Sequence, residues 1–297
     1  FAATGWFRTQ HDGRRWWLVD PDGHPFFSVG MDCAGAGAPG ALLPGMERLC
    51  RALPPADAAG VWSTNHQGQR QVDFPVANLQ RVFGSGWHDA WCRLTAGRLR
   101  RWGFNTIGNW SSRALARSAG LPWVLPMQGF PSTRIRLFRD LPDVFSDEYR
   151  SAAETWAQQL TAVRDDRSLI GYFLSNEPHW AFGDFNLASE MLEDHPGSVS
   201  RQRLRDFLVE RHGSEAAWRM AWNCPDRCLD EVVTARWRQA ARATPAAEAD
   251  LRAFTRLLAE RFVAVPSAAT RAVDPQHLNL GLRFAWISGD ACVAGAA

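Results

Sequence analysis

Two hydrophobic periods alternate along this chain, and the switches between them predict its architecture. Residues 5–31 read as short strands, "GWFRTQ", "RRWWLVD" and "HPFFSVGMD", broken at Asp12-Gly13 and Asp22-Gly23. Both dipeptides carry the turn chemistry of a hairpin. Residues 33–75 are rich in Gly, Pro and Ala and show little periodicity, which predicts a long loop with one short helix near "GMERLCRAL". Beyond them helix and strand alternate. "GWHDAWCRLTAGRLRRW" (86–102) is amphipathic, with Trp87, Trp91, Leu94, Leu99 and Trp102 as expected inner positions. "SSRALARSAG" (111–120) opens on Ser caps and closes on Gly, as a short helix should. "SDEYRSAAETWAQQLTAVRDD" (146–166) places its acids early, and further helical patterns fill 200–223 and 229–264.

Between these helices lie five apolar runs, at about 26–32, 104–110, 122–129, 169–175 and 278–285. Repeated βα units imply a parallel sheet. Each run ends in polar or aromatic residues: Asp32, Asn109 and Trp110, Gln128, Asn176 and Glu177, and Arg283. In a (β/α)8 TIM barrel that end of the strands is the rim that holds an active site. The expected fold is therefore α/β, a (β/α)8 barrel with about five of its eight units in this chain. Residues 1–25 are expected as strands and hairpins packing on it, and 26–297 as the partial catalytic barrel.

Composition narrows the chemistry. A net charge of +2 over 297 residues predicts no field that would draw nucleic acid or an anionic membrane. All 33 basic residues are Arg, so neither Schiff-base chemistry nor a phosphate-loop lysine is possible. No segment has the roughly 18 consecutive apolar residues of a membrane span. Cys224 and Cys228 form a C-x3-C pair with no second pair, so free thiols are expected rather than a zinc site. Asp20-x-Asp22-Gly23 has part of a calcium-loop pattern but lacks the distal Glu, and reads as a plain turn. "GAGAPG" (35–40) matches G-x-G-x-x-G, but Pro39 and Pro44 spoil the helix a dinucleotide needs.

The decisive stretch is "SLIGYFLSNEPHW", Ser168 to Trp180. An apolar run delivers Asn176, Glu177, His179 and Trp180 at its end. A Glu fixed at a barrel mouth and partly desolvated stays protonated near neutrality and can donate a proton. Asn176 can hold a neighbouring hydroxyl without titrating. The pair suits protonation of a glycosidic oxygen. Fifteen Trp are expected to fill the core for the most part, although an indole is also a flat surface for a sugar ring.

Asn-Glu-Pro after an apolar strand resembles the acid/base motif of the large clan of retaining glycoside hydrolases with (β/α)8 barrels. The phrases "WWLVDPDGHPFFSVGMD", "ANLQRVFG", "RLRRWGFNTIGNWS", "LPDVFSDEY", "LIGYFLSNEPHW" and "DPQHLNLGLRFAW" together resemble the β-agarase family, and more distantly the barrel β-galactosidases, from Gly5 to Trp286. The resemblance implies Glu177 as general acid/base and Asn176 as its sugar-binding neighbour. It places Asn109, Trp110, His179, Trp180 and Arg283 at substrate-binding rim positions. It implies a galactose-containing saccharide as substrate, no metal or organic cofactor, and a secreted or periplasmic setting. A barrel β-galactosidase and a noncatalytic carbohydrate-binding barrel are the alternatives. A retaining mechanism needs a second carboxylate about 5–5.5 Å from the first. No Glu after Glu177 closes an apolar strand, so the nucleophile is expected past Ala297. The polypeptide by itself is accordingly expected to be inactive and poorly stable, with unpaired strand edges; an assay for glycoside cleavage checks this.

Overall fold

The computed structural model describes residues 1–37 and 40–297, so the "GAGAPG" run lies partly outside the described residues. Its fourteen described strands are short. β1 (Arg8–His11) and β2 (Trp16–Val19) form the expected hairpin. Asp12 closes it: its carboxylate accepts the N–H groups of Arg14 and Arg15 and the Trp17 indole, each within 2.8 Å. Those bonds, the indole's foremost, bring the Asp12 carboxyl down to about 2. β3 (Gly30–Met31) follows, and then β4 (Ala41–Leu42), β5 (Trp62–Thr64) and β6 (Arg70–Val72) make a small antiparallel sheet. The loop expected over 33–75 thus carries a sheet. Strands of two or three residues are too short for alternation to be visible in sequence.

Helix α1 (Phe74–Phe83) packs Val76 with Val72 of that sheet and with Leu43 and Val61, which flank its strands. α2 (Trp87–Arg101) is where a helix was expected, but its buried face is Ala90, Trp91, Cys92, Ala96 and Leu99. Leu94 and Trp102 are 45% and 62% exposed, contrary to expectation. Leu94 lies two residues from Cys92, which turns it about 200° to the opposite face. β7 (Thr106–Ile107), α3 (Arg113–Ala119) and β8 (Trp123–Pro126) follow. Ser112 caps α3, and Gly120 ends it in the left-handed conformation.

Next come a two-stranded hairpin, β9 (Arg136–Phe138) and β10 (Leu141–Pro142), then α4 (Asp147–Ala157), β11 (Leu169–Phe173) and β12 (Ser175–Asn176). Helices α5 (Leu187–Glu193), α6 (Val199–His212), α7 (Glu215–Trp222), α8 (Glu231–Thr234) and α9 (Pro245–Val273) lead to β13 (Leu278–Asn279), β14 (Leu282–Arg283) and α10 (Asp290–Ala296). Five strands are hydrogen-bonded in the order β13-β11-β8-β7-β3, with β13–β11, β8–β7 and β7–β3 parallel, and they match the five apolar runs of the sequence in a mixed α/β fold. No helix among the described residues is long and apolar enough to cross a membrane.

The chain divides into two compact units, Phe1–Leu125 with Arg167–Ile170, and Pro126–Asp166 with Gly171–Ala297. The second is organised on α9. Leu251, Phe254, Leu258, Phe262 and Val265 recur at helical spacing and are buried. Around them pack α4 through α7, with Trp218, Trp222 and Trp237 in mutual ring contact. Six of the fifteen Trp are buried, Trp91, Trp123, Trp156, Trp180, Trp218 and Trp222, fewer than the majority expected in the core. Two buried acids hold the helices in place. Asp250 accepts from the Trp222 indole at 2.8 Å and pairs with His212 at 2.7 Å. Asp143 accepts the N–H groups of Val199 and Ser200 at the start of α6.

Asp274 and His277 anchor the approach to β13. Both side chains are fully buried, 2.7 Å apart, and the other ring nitrogen donates to the Asp166 carbonyl at 2.9 Å. Burial opposes ionisation of Asp274, but the His277 ring and the N–H groups of His277 and Gln276 outweigh it, leaving the carboxyl below its ordinary 3.8. A carboxyl depressed on folding stabilises the fold above its unfolded value, and that contribution fades as pH falls through the depressed folded one. Asp274→Asn is expected to cost about 3 kcal/mol at neutral pH, because a buried pair loses one partner. Urea melts at pH 7 and below pH 4 check this, and the difference between wild type and variant should shrink in acid.

Candidate active site at the end of β11

A continuous series of backbone bonds carries the chain to Glu177. Leu169, Ile170, Gly171 and Tyr172 of β11 are all buried. Gly171 lies opposite Leu278 of the parallel strand β13, where any Cβ would collide with the Leu278 carbonyl. Beyond β11 the pairing continues: the Leu174 N–H donates to Gly281 O at 2.9 Å, and Ser175 and Asn176 pair with Leu282 and Arg283. The Glu177 N–H then donates to Arg283 O at 2.8 Å. At Glu177 the backbone turns left-handed, with φ +53°. For a residue with a Cβ this costs on the order of 1 kcal/mol, and it persists only where the surroundings impose it.

The side chains of the same three residues interlock. Arg283 donates through one guanidinium nitrogen to the Asn176 carboxamide oxygen at 2.8 Å and to Glu177 Oε1. The Glu177 side chain is 37% exposed and that of Arg283 47%. Partial desolvation was expected at Glu177; the side chain is part-buried, and a guanidinium that the sequence did not announce stands against it. At this exposure an ion pair contributes little to stability. What it contributes is orientation, since one guanidinium nitrogen holds an amide and a carboxylate side by side.

The loop that follows is pinned by residues that sequence reasoning missed. Asp140, in the β9–β10 turn, accepts the N–H groups of His179 and Trp180, each at 2.9 Å. Its neighbour Arg139 donates to the His179 carbonyl at 2.9 Å and lies over the Phe185 ring. Ser288 donates to the Ala181 carbonyl at 2.9 Å. The adjacent Arg-Asp pair was the signal available in sequence, but a hairpin of two short strands gave it no context. His179 is exposed, its ring edge-on to Phe182 at 5.7 Å. Trp180, expected at the rim, has no exposed surface; it packs against Phe262 and Phe284 and in this position offers no face to a sugar.

Within the first unit, Asp32, Gly108 and Asn109 form a separate cluster. Asp32 accepts the Asn109 N–H at 2.7 Å, and a Cβ on Gly108 would strike that same carboxylate oxygen. Asn109 is 6% exposed, and its carboxamide oxygen has no partner among the described residues. Trp110 has φ +57° and is 42% exposed. Gln128, in the second unit, is held through its backbone by Gln159 and the Trp156 indole. No cluster of three or more His, Cys, Asp or Glu able to hold a metal ion occurs among the described residues.

The fold is that of known agarases. The crystal structure of an agarase, AgWH50C, superposes with TM-score 0.84 at 21% identity, covering 99% of this chain and 47% of that one. The structure of an exo-β-agarase gives TM-score 0.80 at 23% identity, covering 100% of this chain and 49% of that one. No family model matches the chain. Among curated proteins, β-agarase A of Vibrio sp. (strain JT0107) is 26% identical over 312 residues, covering 91% of this chain and 30% of that protein. β-Agarase B of the same strain is 24% identical over 333 residues, covering 95% of this chain and 34% of that protein. The chain is thus β-agarase-like along nearly all its length, and it spans about a third of these curated relatives.

Asp140→Ala is expected to release two N–H groups of the loop and cost about 1–3 kcal/mol. Amide hydrogen exchange should quicken at His179 and Trp180 while the α9 core stays protected.

Proposed function

We propose that this chain is part of a retaining glycoside hydrolase of the β-agarase kind, cleaving a galactose-containing polysaccharide. In this reading β3, β7, β8, β11 and β13 are successive strands of a (β/α)8 barrel, and the rim beyond β11 is catalytic. The observation that carries it is the Asn176–Glu177 pair, fixed by strand pairing at the end of a buried parallel strand in a fold shared with agarases. The similarity to two β-agarases in sequence supports the same substrate class.

Glu177 is the general acid. Its carboxyl passes a proton to the glycosidic oxygen as the anomeric C–O bond breaks and a second carboxylate, unassigned among the described residues, bonds to the anomeric carbon. Glu177, now a carboxylate, takes a proton from the water whose oxygen displaces that second carboxylate. Arg283 holds Glu177 Oε1, so the proton is exchanged through Oε2. Asn176 lies beside it to grip a sugar hydroxyl as charge develops. His179, exposed in the same loop, supplies a further contact.

Glu177→Gln, measured in the enzyme that carries this chain, is expected to lower kcat/KM on agarose oligosaccharides by about 10²–10⁴-fold. The loss should be much smaller on an aryl galactoside whose leaving group needs no proton. Equal losses on both substrates, or none on the oligosaccharide, would reject Glu177 as proton donor.

A further inference from the structure

The net charge of +2 conceals a segregation. From Trp87 to Ala119, the span of α2, β7 and α3, there are six Arg, one Asp and no Glu, a net charge of +5, so the rest of the chain carries −3. All six arginines are exposed. Arg93, Arg98 and Arg101 stand clear of the α2 face that buries Cys92, Ala96 and Leu99, and Arg113 and Arg117 lie one turn apart on α3. Arg100 ties the helices together by donating to the Ala119 carbonyl, which brings the last turn of α2, with Arg98 and Arg101, to the last turn of α3, with Arg117. Among the described residues none of the six pairs with a carboxylate; the arginine ion pairs lie between Arg134 and Arg283. Asp89 sits in the first turn of α2, at its other end.

Helix ends do not account for this charge. Each C-terminus presents about half a negative charge, against four guanidiniums in these two last turns. Unpaired like charges on one surface repel, and an anion that enters among them relieves the repulsion. The guanidinium fork suits the paired oxygens of a sulfate ester or a carboxylate. A bilayer is a poorer match, because the apolar side of α2 is already in the core. The exposed indole of Trp102, directly after Arg101, offers a face to sugar C–H groups that a nucleic-acid duplex, with its bases stacked inside, does not use. We propose that the arginine surface of α2 and α3 binds an anionic polysaccharide through its sulfate or carboxylate groups, as an anchoring site made of residues other than the Asn176–Glu177–Arg283 cluster. The choice of a polysaccharide rests on the hydrolase reading above; the charge and its exposure do not.

Binding tests it without requiring turnover. The chain is titrated by calorimetry with κ-carrageenan oligosaccharides, which carry sulfate, and with oligogalacturonate, which carries carboxylate. One or both are expected to bind, with affinity falling about tenfold or more between about 50 and about 500 mM NaCl as the surface charge is screened. Arg98→Gln, Arg101→Gln and Arg117→Gln together should weaken binding about tenfold or more, since each exposed ion pair contributes a factor of up to about five. The same three positions changed to Lys should keep most of the affinity. Arg134→Gln, at an exposed arginine of the second unit, should bind as wild type does. So should Glu177→Gln, whose turnover tests the hydrolase reading separately. Because the three arginines are exposed, unchanged thermal melting of the Gln variant separates lost charge from lost fold. Wild-type affinity in that variant, affinity indifferent to salt, or no binding of either saccharide at about millimolar concentration would overturn the proposal. Tighter binding of duplex DNA or polyglutamate than of either saccharide would overturn it too.

Discussion

The arrangement depends on the parallel register that sets Asn176 opposite Arg283. From that pairing come the hydrogen bond of the Glu177 N–H, the guanidinium on Oε1 and the amide held beside it. A shift of one residue would send Arg283 to the other face of its strand and leave the carboxylate without its clasp. Gly171 guards the register further back, since no larger residue fits against the Leu278 carbonyl. The strand is thus a positioning device as much as a part of the core.

A buried scaffold supports this. The Asp274–His277 pair fixes the entry to β13, and the α9 core carries the helices between β12 and β13. Buried charges at Asp143 and Asp250 are each met by several donors, so their desolvation is offset and the helix ends they serve are held in one geometry. The left-handed backbone at Glu177 is the local conformational cost, and it falls on the residue at the centre of the candidate site.

The candidate site is made of residues with two kinds of task. Glu177, Asn176 and Arg283 present polar groups outward. Asp140, Arg139 and Ser288 hold the loop backbone, and Trp180 fills the core beneath it. Polar and aromatic residues cluster after the apolar run for both reasons at once. This is why one sequence stretch can supply a part-exposed carboxylate and a buried indole three residues apart.

Much of this was legible in the chain. The five apolar runs, the Ser- and Gly-bounded helices, the first hairpin and the placement of Glu177 at a strand end follow from periodicity and turn chemistry, which are local. The small sheet of β4, β5 and β6 and the β9–β10 hairpin did not appear, because their strands are too short to show a period. Direction of individual side chains was beyond the sequence as well. Leu94 and Trp102 face solvent, Trp180 faces the core, and Arg283 turns to Glu177, each settled by contacts between segments far apart in the chain. The sequence by itself determined the five apolar runs that become strands of one sheet and the place of Glu177 at the end of one of them, since both depend on neighbours a few positions away. Only the tertiary structure decided the company Glu177 keeps, because the guanidinium beside it comes from 106 residues further on.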